Sequence, residues 1–158
     1  MASDSFFEHD SKVLTSAAFE FVLESELKRA DRYQNYLTLV TVETCREWEG
    51  MMVTADEGTM QQVAQLIGRE VRDTDLLGHI EKGTLAIVLL DSDFEHSTRV
   101  IDRLVARIEN YEFATPLRIA VGAACYPTHA VDADSLKRQA MSRPIVNWRG
   151  GRSSAEHN

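Results

Sequence analysis

Apolar residues recur along this chain with two alternating periods, and the switches between them mark out the elements. From about Ser11 to Arg32, the positions Ala18, Phe19, Val22, Leu23, Leu27 and Ala30 fall at helical spacing. Thr15 or Ser16 is placed to cap that helix, and Asp31 to Asn35 ends it. Tyr36 to Thr44, YLTLVTVET, is rich in β-branched and apolar residues and reads as a strand ending at Glu43, which puts a carboxylate at its mouth. Trp48 to Ala55 reads as a loop around Gly50. Asp56 or Thr54 opens a second helix with the face Met60, Val63, Ala64, Ile67 and Val71. Gly68 weakens that helix by about 1 kcal/mol against Ala, which suggests close packing there.

The stretch from Arg72 to Leu90 predicts a helix end, a short strand, a tight turn at Lys82-Gly83 and a second strand. Leu85 to Leu90 shows no polar alternation, so both faces of that strand are expected to be covered. Asp91-Ser92-Asp93 then forms a turn and cap. A third helix runs to about Asn110 with Val100, Ile101, Leu104, Val105 and Ile108 inward. On it Arg99, Arg103 and Arg107 follow at i, i+4, i+8 as one basic stripe, a pattern commonest on a solvated face with Glu or Asp partners. Leu117 to Cys125 predicts a fourth strand and Pro127 a turn; a last helix starts near Asp134 and is stopped or kinked by Pro144. Residues 1–10 read as a loose arm around Phe6-Phe7, and residues 149–158 as a mobile tail.

Without its first and last helices, the order is strand, helix, strand, strand, helix, strand. This predicts an α+β fold: a domain over residues 11–148 with a ferredoxin-like βαββαβ core, an antiparallel sheet with that core's helices on one face, and extra N- and C-terminal helices. The first and fourth strands are then antiparallel neighbours. Cys45 and Cys125, both at strand ends, are expected as buried free thiols at opposite edges of the sheet, too far apart for a disulfide.

Composition narrows the function classes. At 158 residues, 44% hydrophobic and 27% charged, the chain is one soluble domain by size. A net charge of −8 excludes broad binding to nucleic acid or an acidic membrane surface, so an anionic ligand needs a local cluster of Arg. No apolar run approaches the roughly 20 residues of a membrane span. The acidic start MASDSFFEHDSK lacks the basic-then-apolar order of a signal peptide, so a cytoplasmic location is expected. The five His residues show no metal-ligand spacing, and neither a metal nor another cofactor is expected.

Three segments carry a resemblance: ELKRADRYQNYLTLVTVE, MQQVAQLIGREVRDTDLLGHIEKGTLAIVLLD and LRIAVGAACYPTHAVDADSLKRQA. In this order and spacing the chain resembles the GGDEF domain of diguanylate cyclases. Ala120-Val121-Gly122 and Tyr126-Pro127 stand where that family usually has a serine-glycine pair and a tyrosine-proline pair. At the signature hairpin this chain instead reads Glu81-Lys82-Gly83-Thr84-Leu85. The resemblance puts a metal-binding carboxylate at Thr84, a glycine at Glu81 and at Lys82, and a second metal carboxylate at Glu43, here a vestigial candidate. A Thr hydroxyl brings no negative charge to Mg²⁺, while Glu81 and Lys82 fill space meant for nucleotide. The loop from Cys45 to Thr59 is short for the family and lacks the Asn-Asp and Gly-His pairs around the guanine pocket. Cyclase activity is therefore not expected.

Arg72-Asp73-Thr74-Asp75 matches the family's Arg-x-x-Asp inhibitory site, which binds the product cyclic di-GMP. Arg103 sits where the family adds a further Arg, with Arg99 a turn earlier. An Arg forks onto phosphate oxygens or a guanine edge, and a carboxylate accepts from guanine N–H groups. The bland alternative is a solvated ion pair near a helix end. The resemblance thus implies a catalytically inactive cyclic di-GMP receptor acting on a signalling protein, with a homodimer compatible with a stacked dinucleotide pair. The alternative is a ligand-free protein-interaction or scaffold module.

Overall fold

A computed structural model describes Phe7, residues 12–142 and residues 144–150. Its elements run β1 (Val13–Leu14), α1 (Ser16–Tyr33), β2 (Leu37–Trp48), β3 (Met51–Thr54), α2 (Glu57–Gly68), β4 (Leu76–Glu81), β5 (Thr84–Leu90), α3 (Phe94–Glu109), β6 (Leu117–Tyr126), α4 (Ala133–Ser142) and β7 (Pro144–Gly150). They form one sheet in the order β1-β4-β5-β2-β6-β7, with β3 paired to β2 alone. The central β4-β5-β2-β6 run is the expected ferredoxin-like core, antiparallel throughout.

Two apolar clusters sandwich the sheet: the core helices α2 and α3 share one face, as expected, and the added helices α1 and α4 cover the other. On one side, Met60, Val63 and Ile67 of α2 with Ile101, Leu104 and Ile108 of α3 pack on Val40, Val42, Leu85 and Ile87. On the other, Phe19, Leu23 and Leu27 of α1 with Leu136 and Ala140 of α4 pack on Leu37, Leu39, Ala86 and Val88. β5 carries an unbroken apolar run after Thr84, and β2 is buried from Leu37 to Val42, because neither face of these segments meets water. The close approach of α4 depends on Gly122, where a Cβ would lie 1.8 Å from the carbonyl oxygen of Ala140.

Several boundaries differ from the sequence expectation. Residues ahead of Thr15 form β1, parallel to β4, and not the start of a helix; Thr15 caps α1 by accepting from Ala18 N. β2 runs on past Glu43 to Trp48 and turns through Glu49 and Gly50, both at positive φ, into β3, where a loop was expected. α2 ends at Gly68, which is exposed with open space around it, so the expected close packing is absent. The residues after Pro144 add β7 to the free edge of β6, placing Arg149 and Gly150 in the sheet and not in a tail. Proline suits that position, since the first residue of an edge strand need not donate.

Of the predicted arm, Phe7 bridges to Leu14, and the remainder lies outside the described residues, as does the tail from residue 151. The cysteines are free, but they lie at opposite ends of the adjacent central strands β2 and β6, not at sheet edges, and Cys45 is only half-buried.

Candidate functional site: the signature hairpin and its flanking arginines

The β4–β5 turn takes the expected form, with Gly83 at φ +83°. Its tip is locked against the β2–β3 ribbon. Thr44 N donates to Gly83 O at 2.8 Å, and a Cβ at Gly83 would lie 2.7 Å from Thr54 Cγ2. Thr84 opens β5 directly opposite Glu43, so the two side chains share one face of the sheet. Thr84 is only 2% exposed, whereas Glu43 is open to solvent. In front of the hairpin lies an open cavity of about 900 Å³, lined by Lys12, Gln61, Gln65, His79, Glu81 and Lys82 among others.

These residues do not fit the magnesium ion that a cyclase hairpin would hold. One solvent-facing carboxylate beside a buried hydroxyl is a poor donor set for a hard cation, which needs several oxygen ligands with negative charge. Among the described residues, no group of three or more His, Cys, Asp and Glu is placed to share a metal. Cys45, two residues beyond Glu43, offers no substitute chemistry: burial, then the charge of Glu43, pushes its thiol pKa up, and Arg118 offsets this only in part. It stays a protonated, weak nucleophile.

Arg72 and Asp75 meet, in the loop between α2 and β4 and not at a helix end. Asp75 Oδ2 accepts from Arg72 N at 3.0 Å and Arg72 Nε at 3.3 Å; Oδ1 accepts from Arg72 Nη2 and from Leu90 N, both at 3.2 Å. Nη2 of Arg72 also donates to Leu90 O at 2.5 Å and Ser92 Oγ at 3.3 Å. The pair therefore ties the α2–β4 loop to the end of β5. Its halves differ in access: the Asp75 side chain is 2% exposed and that of Arg72 57%.

The other two arginines sit in different settings. Arg103 Nε donates to Glu70 Oε1 at 3.3 Å, and Arg107 Nε donates to Glu70 Oε2. Together with Arg69, Asn110 and Tyr111 they line a shallow groove between α2 and α3. Arg99 is exposed near Asp93, whose carboxyl pKa is lowered chiefly by the His96 backbone N–H and only slightly by the Arg99 charge. The four expected ligand contacts have three different sets of partners: Arg72 and Asp75 hold each other, Arg103 holds Glu70, and Arg99 acts on Asp93. Glu70, Leu90 and Ser92 were missed by sequence reasoning. Glu70 is the acidic partner the Arg stripe called for, but nothing local marks a residue 33 positions away.

Comparison with known proteins gives these positions a frame. A family model described as "Diguanylate cyclase, GGDEF domain" matches residues 11–144. No curated protein matches this chain. Similar solved structures include the isolated GGDEF domain of PA1120 (TpbB or YfiN) from Pseudomonas aeruginosa, at 21% identity over 85% of this chain and 84% of that one, with a TM-score of 0.70. The diguanylate cyclase SiaD of the same organism, solved with its activator SiaC, aligns at 14% identity over 87% of this chain and 56% of its own, TM-score 0.70. The GGDEF domain of DgcB from Caulobacter crescentus, in complex with c-di-GMP, aligns at 11% identity over 88% and 87%, TM-score 0.67. At such identities the structures speak for the fold alone, but the family model spans most of the chain. By that match and by its hairpin-centred sheet, this chain belongs to the GGDEF domain family.

Proposed function

We propose that this GGDEF domain binds without catalysing, and that it serves as a receptor for cyclic di-GMP. The observation that carries the loss of turnover is Thr84, a buried hydroxyl facing Glu43 where a cyclase needs a second metal carboxylate. Glu81 and Lys82 at the turn add to this, as does the ribbon packed on Gly83. Arg72 supports the ligand assignment. Its guanidinium is anchored along one edge by Asp75, Leu90 O and Ser92, and more than half of the side chain remains open. Such a pre-oriented cation suits stacking on guanine or pairing with phosphate. In this reading Asp75 holds Arg72 in place and does not read a guanine edge, since both its oxygens are already taken. Arg103 exchanges Glu70 for a phosphate, and Arg99 adds positive charge nearby. A stacked dinucleotide pair would join two copies, so the dimer is ligand-dependent, and a cytoplasmic location goes with the ligand.

A specific observation favours a second reading, an interaction module without a nucleotide. Asp75 is sealed by four hydrogen bonds, and Glu70 already pairs with both Arg103 and Arg107 of α3. SiaD, solved with a protein activator, is a relative of the same fold held by a protein partner.

Calorimetric titration with cyclic di-GMP separates the two. The receptor reading expects heat with wild type and at least a roughly tenfold loss with Arg72→Ala; a silent wild type leaves the interaction module. Incubation with GTP and Mg²⁺ should give no cyclic product. A Mg²⁺-dependent product that disappears with Glu43→Ala would overturn the loss of turnover.

A further inference from the structure

The family's guanine-bracketing loop is replaced here by a two-stranded ribbon, and its surface is at odds with a solvated turn. β2 loses its pairing with β5 after Glu43 and with β6 after Cys45, so Arg46, Glu47 and Trp48 pair with β3 alone and the ribbon projects from the sheet. Its large apolar side chains point into water: Trp48 is 54% exposed, Met51 66% and Met52 44%. Trp48 and Met51 are register partners and share one face. Arg46 stacks on the Trp48 ring, with its guanidinium carbon 5.0 Å from the ring centroid, and its buried Nε makes no hydrogen bond. The base is fixed: Ala55 N donates to Thr44 O at 3.2 Å, and Thr44 N donates to Gly83 O. A rigid base carrying exposed Trp and Met has the composition of an interface core, and Met adapts to an irregular partner.

We infer that the β2–β3 ribbon docks a basic amphipathic segment of another protein, with Trp48 and Met51 as anchors. Charge selects that occupant. Between residues 43 and 57 the chain carries Glu43, Glu47, Glu49, Asp56 and Glu57 against Arg46 alone, and all five acids are exposed. An apolar centre with an acidic rim complements a helix that has an apolar face and Lys or Arg at its flanks. The same rim repels a second copy of this chain and an anionic bilayer. The inference rests on the chain being a binding module, but it is independent of the dinucleotide.

The test uses a synthetic amphipathic peptide of Leu and Lys, its Leu and Glu counterpart, and vesicles containing phosphatidylserine. Trp148→Phe leaves Trp48 as the only tryptophan. The Leu/Lys peptide should shift Trp48 emission to the blue, and binding should weaken with added salt. Trp48→Ala with Met51→Ser should weaken binding of labelled peptide roughly tenfold or more. Glu47→Lys with Glu49→Lys keeps the apolar pair and should also lose the peptide, which covers the case of a misfolded Trp48 variant. Unchanged affinity in either double variant overturns the proposal. So does equal binding of the Leu/Glu peptide, a blue shift that follows protein concentration without peptide, or binding to the vesicles in place of the peptide. Calorimetry with cyclic di-GMP on the same sample keeps failure of the ribbon distinct from failure of the receptor reading.

Discussion

Both carboxylate oxygens of Asp75 are engaged inside the protein, and that changes what an Arg-x-x-Asp pattern means in this chain. A solvated ion pair is worth little, because water competes for each partner. Asp75 is instead buried at 2% side-chain exposure and receives two backbone N–H groups, those of Arg72 and Leu90, as well as the guanidinium. Asp75→Ala strands those donors and is expected to cost about 2–4 kcal/mol in urea unfolding. Arg72→Ala leaves the carboxylate its backbone partners and should cost less. A double-mutant cycle should give a coupling of about 1–2 kcal/mol; a coupling near zero would return the pair to the solvated class. The contact itself could be read from the i, i+3 spacing. That Leu90 and Ser92 hold the far side of Arg72 could not, because those partners come from the end of another strand.

The helices are held at their entries by a repeated device with a pH signature. Asp56, Asp93 and Asp132 accept from Thr59 N at 2.7 Å, His96 N at 2.9 Å and Ser135 N at 2.8 Å. Those backbone hydrogen bonds are the main cause that holds each carboxyl below its ordinary range. A lowered folded-state pKa means the folded protein binds fewer protons than the unfolded chain. The contribution is complete above the ordinary carboxylate pKa of about 4 and is lost as pH falls through the folded value. Asn at all three positions caps without titrating, so the triple variant should lose less melting temperature between about pH 4 and pH 2 than wild type. α1 is capped by uncharged Thr15, so Thr15→Ala should cost about 1 kcal/mol at every pH.

Packing between elements is just as local at Gly122. Gly122→Ala drives a methyl into the Ala140 carbonyl and should cost about 3 kcal/mol or detach α4, seen as lost helical signal before global melting. Elements with strong internal periodicity, such as α3 or the uninterrupted β5, were legible in the sequence. β3 and β7 were not: they are edge strands whose order comes from β2 and β6. Thr44 to Trp48 lacks the apolar alternation that would have announced a longer β2.

For the molecule as a whole, the departures from the family's signature are several and not a single substitution, and this sets what repair would do. Restoring the two glycines and the metal carboxylate takes Glu81→Gly, Lys82→Gly and Thr84→Glu together, with Gly83 and Leu85 left as they are. Thr84 is 2% exposed, so a carboxylate there is desolvated beside Glu43, and two like charges share one face of the sheet. The triple variant should therefore melt lower than wild type, by an amount equivalent to about 2 kcal/mol or more, and millimolar Mg²⁺ should recover part of that loss in the variant but not in wild type. Cyclic product should still be absent. The β2–β3 ribbon occupies the segment that would bracket guanine, and Thr54 packs on Gly83 whatever stands at the neighbouring turn positions. Chromatography of GTP reactions and melting curves with and without Mg²⁺ read the two halves separately. Product from the triple variant would mean that the hairpin alone had silenced the domain and that the ribbon obstructs nothing. Metal rescue without product would place a second barrier beyond the metal ligand, and removing the ribbon's contact on Gly83 through Thr54→Ala would then test whether it lies in the element whose exposed Trp48 and Met51 form the proposed docking surface.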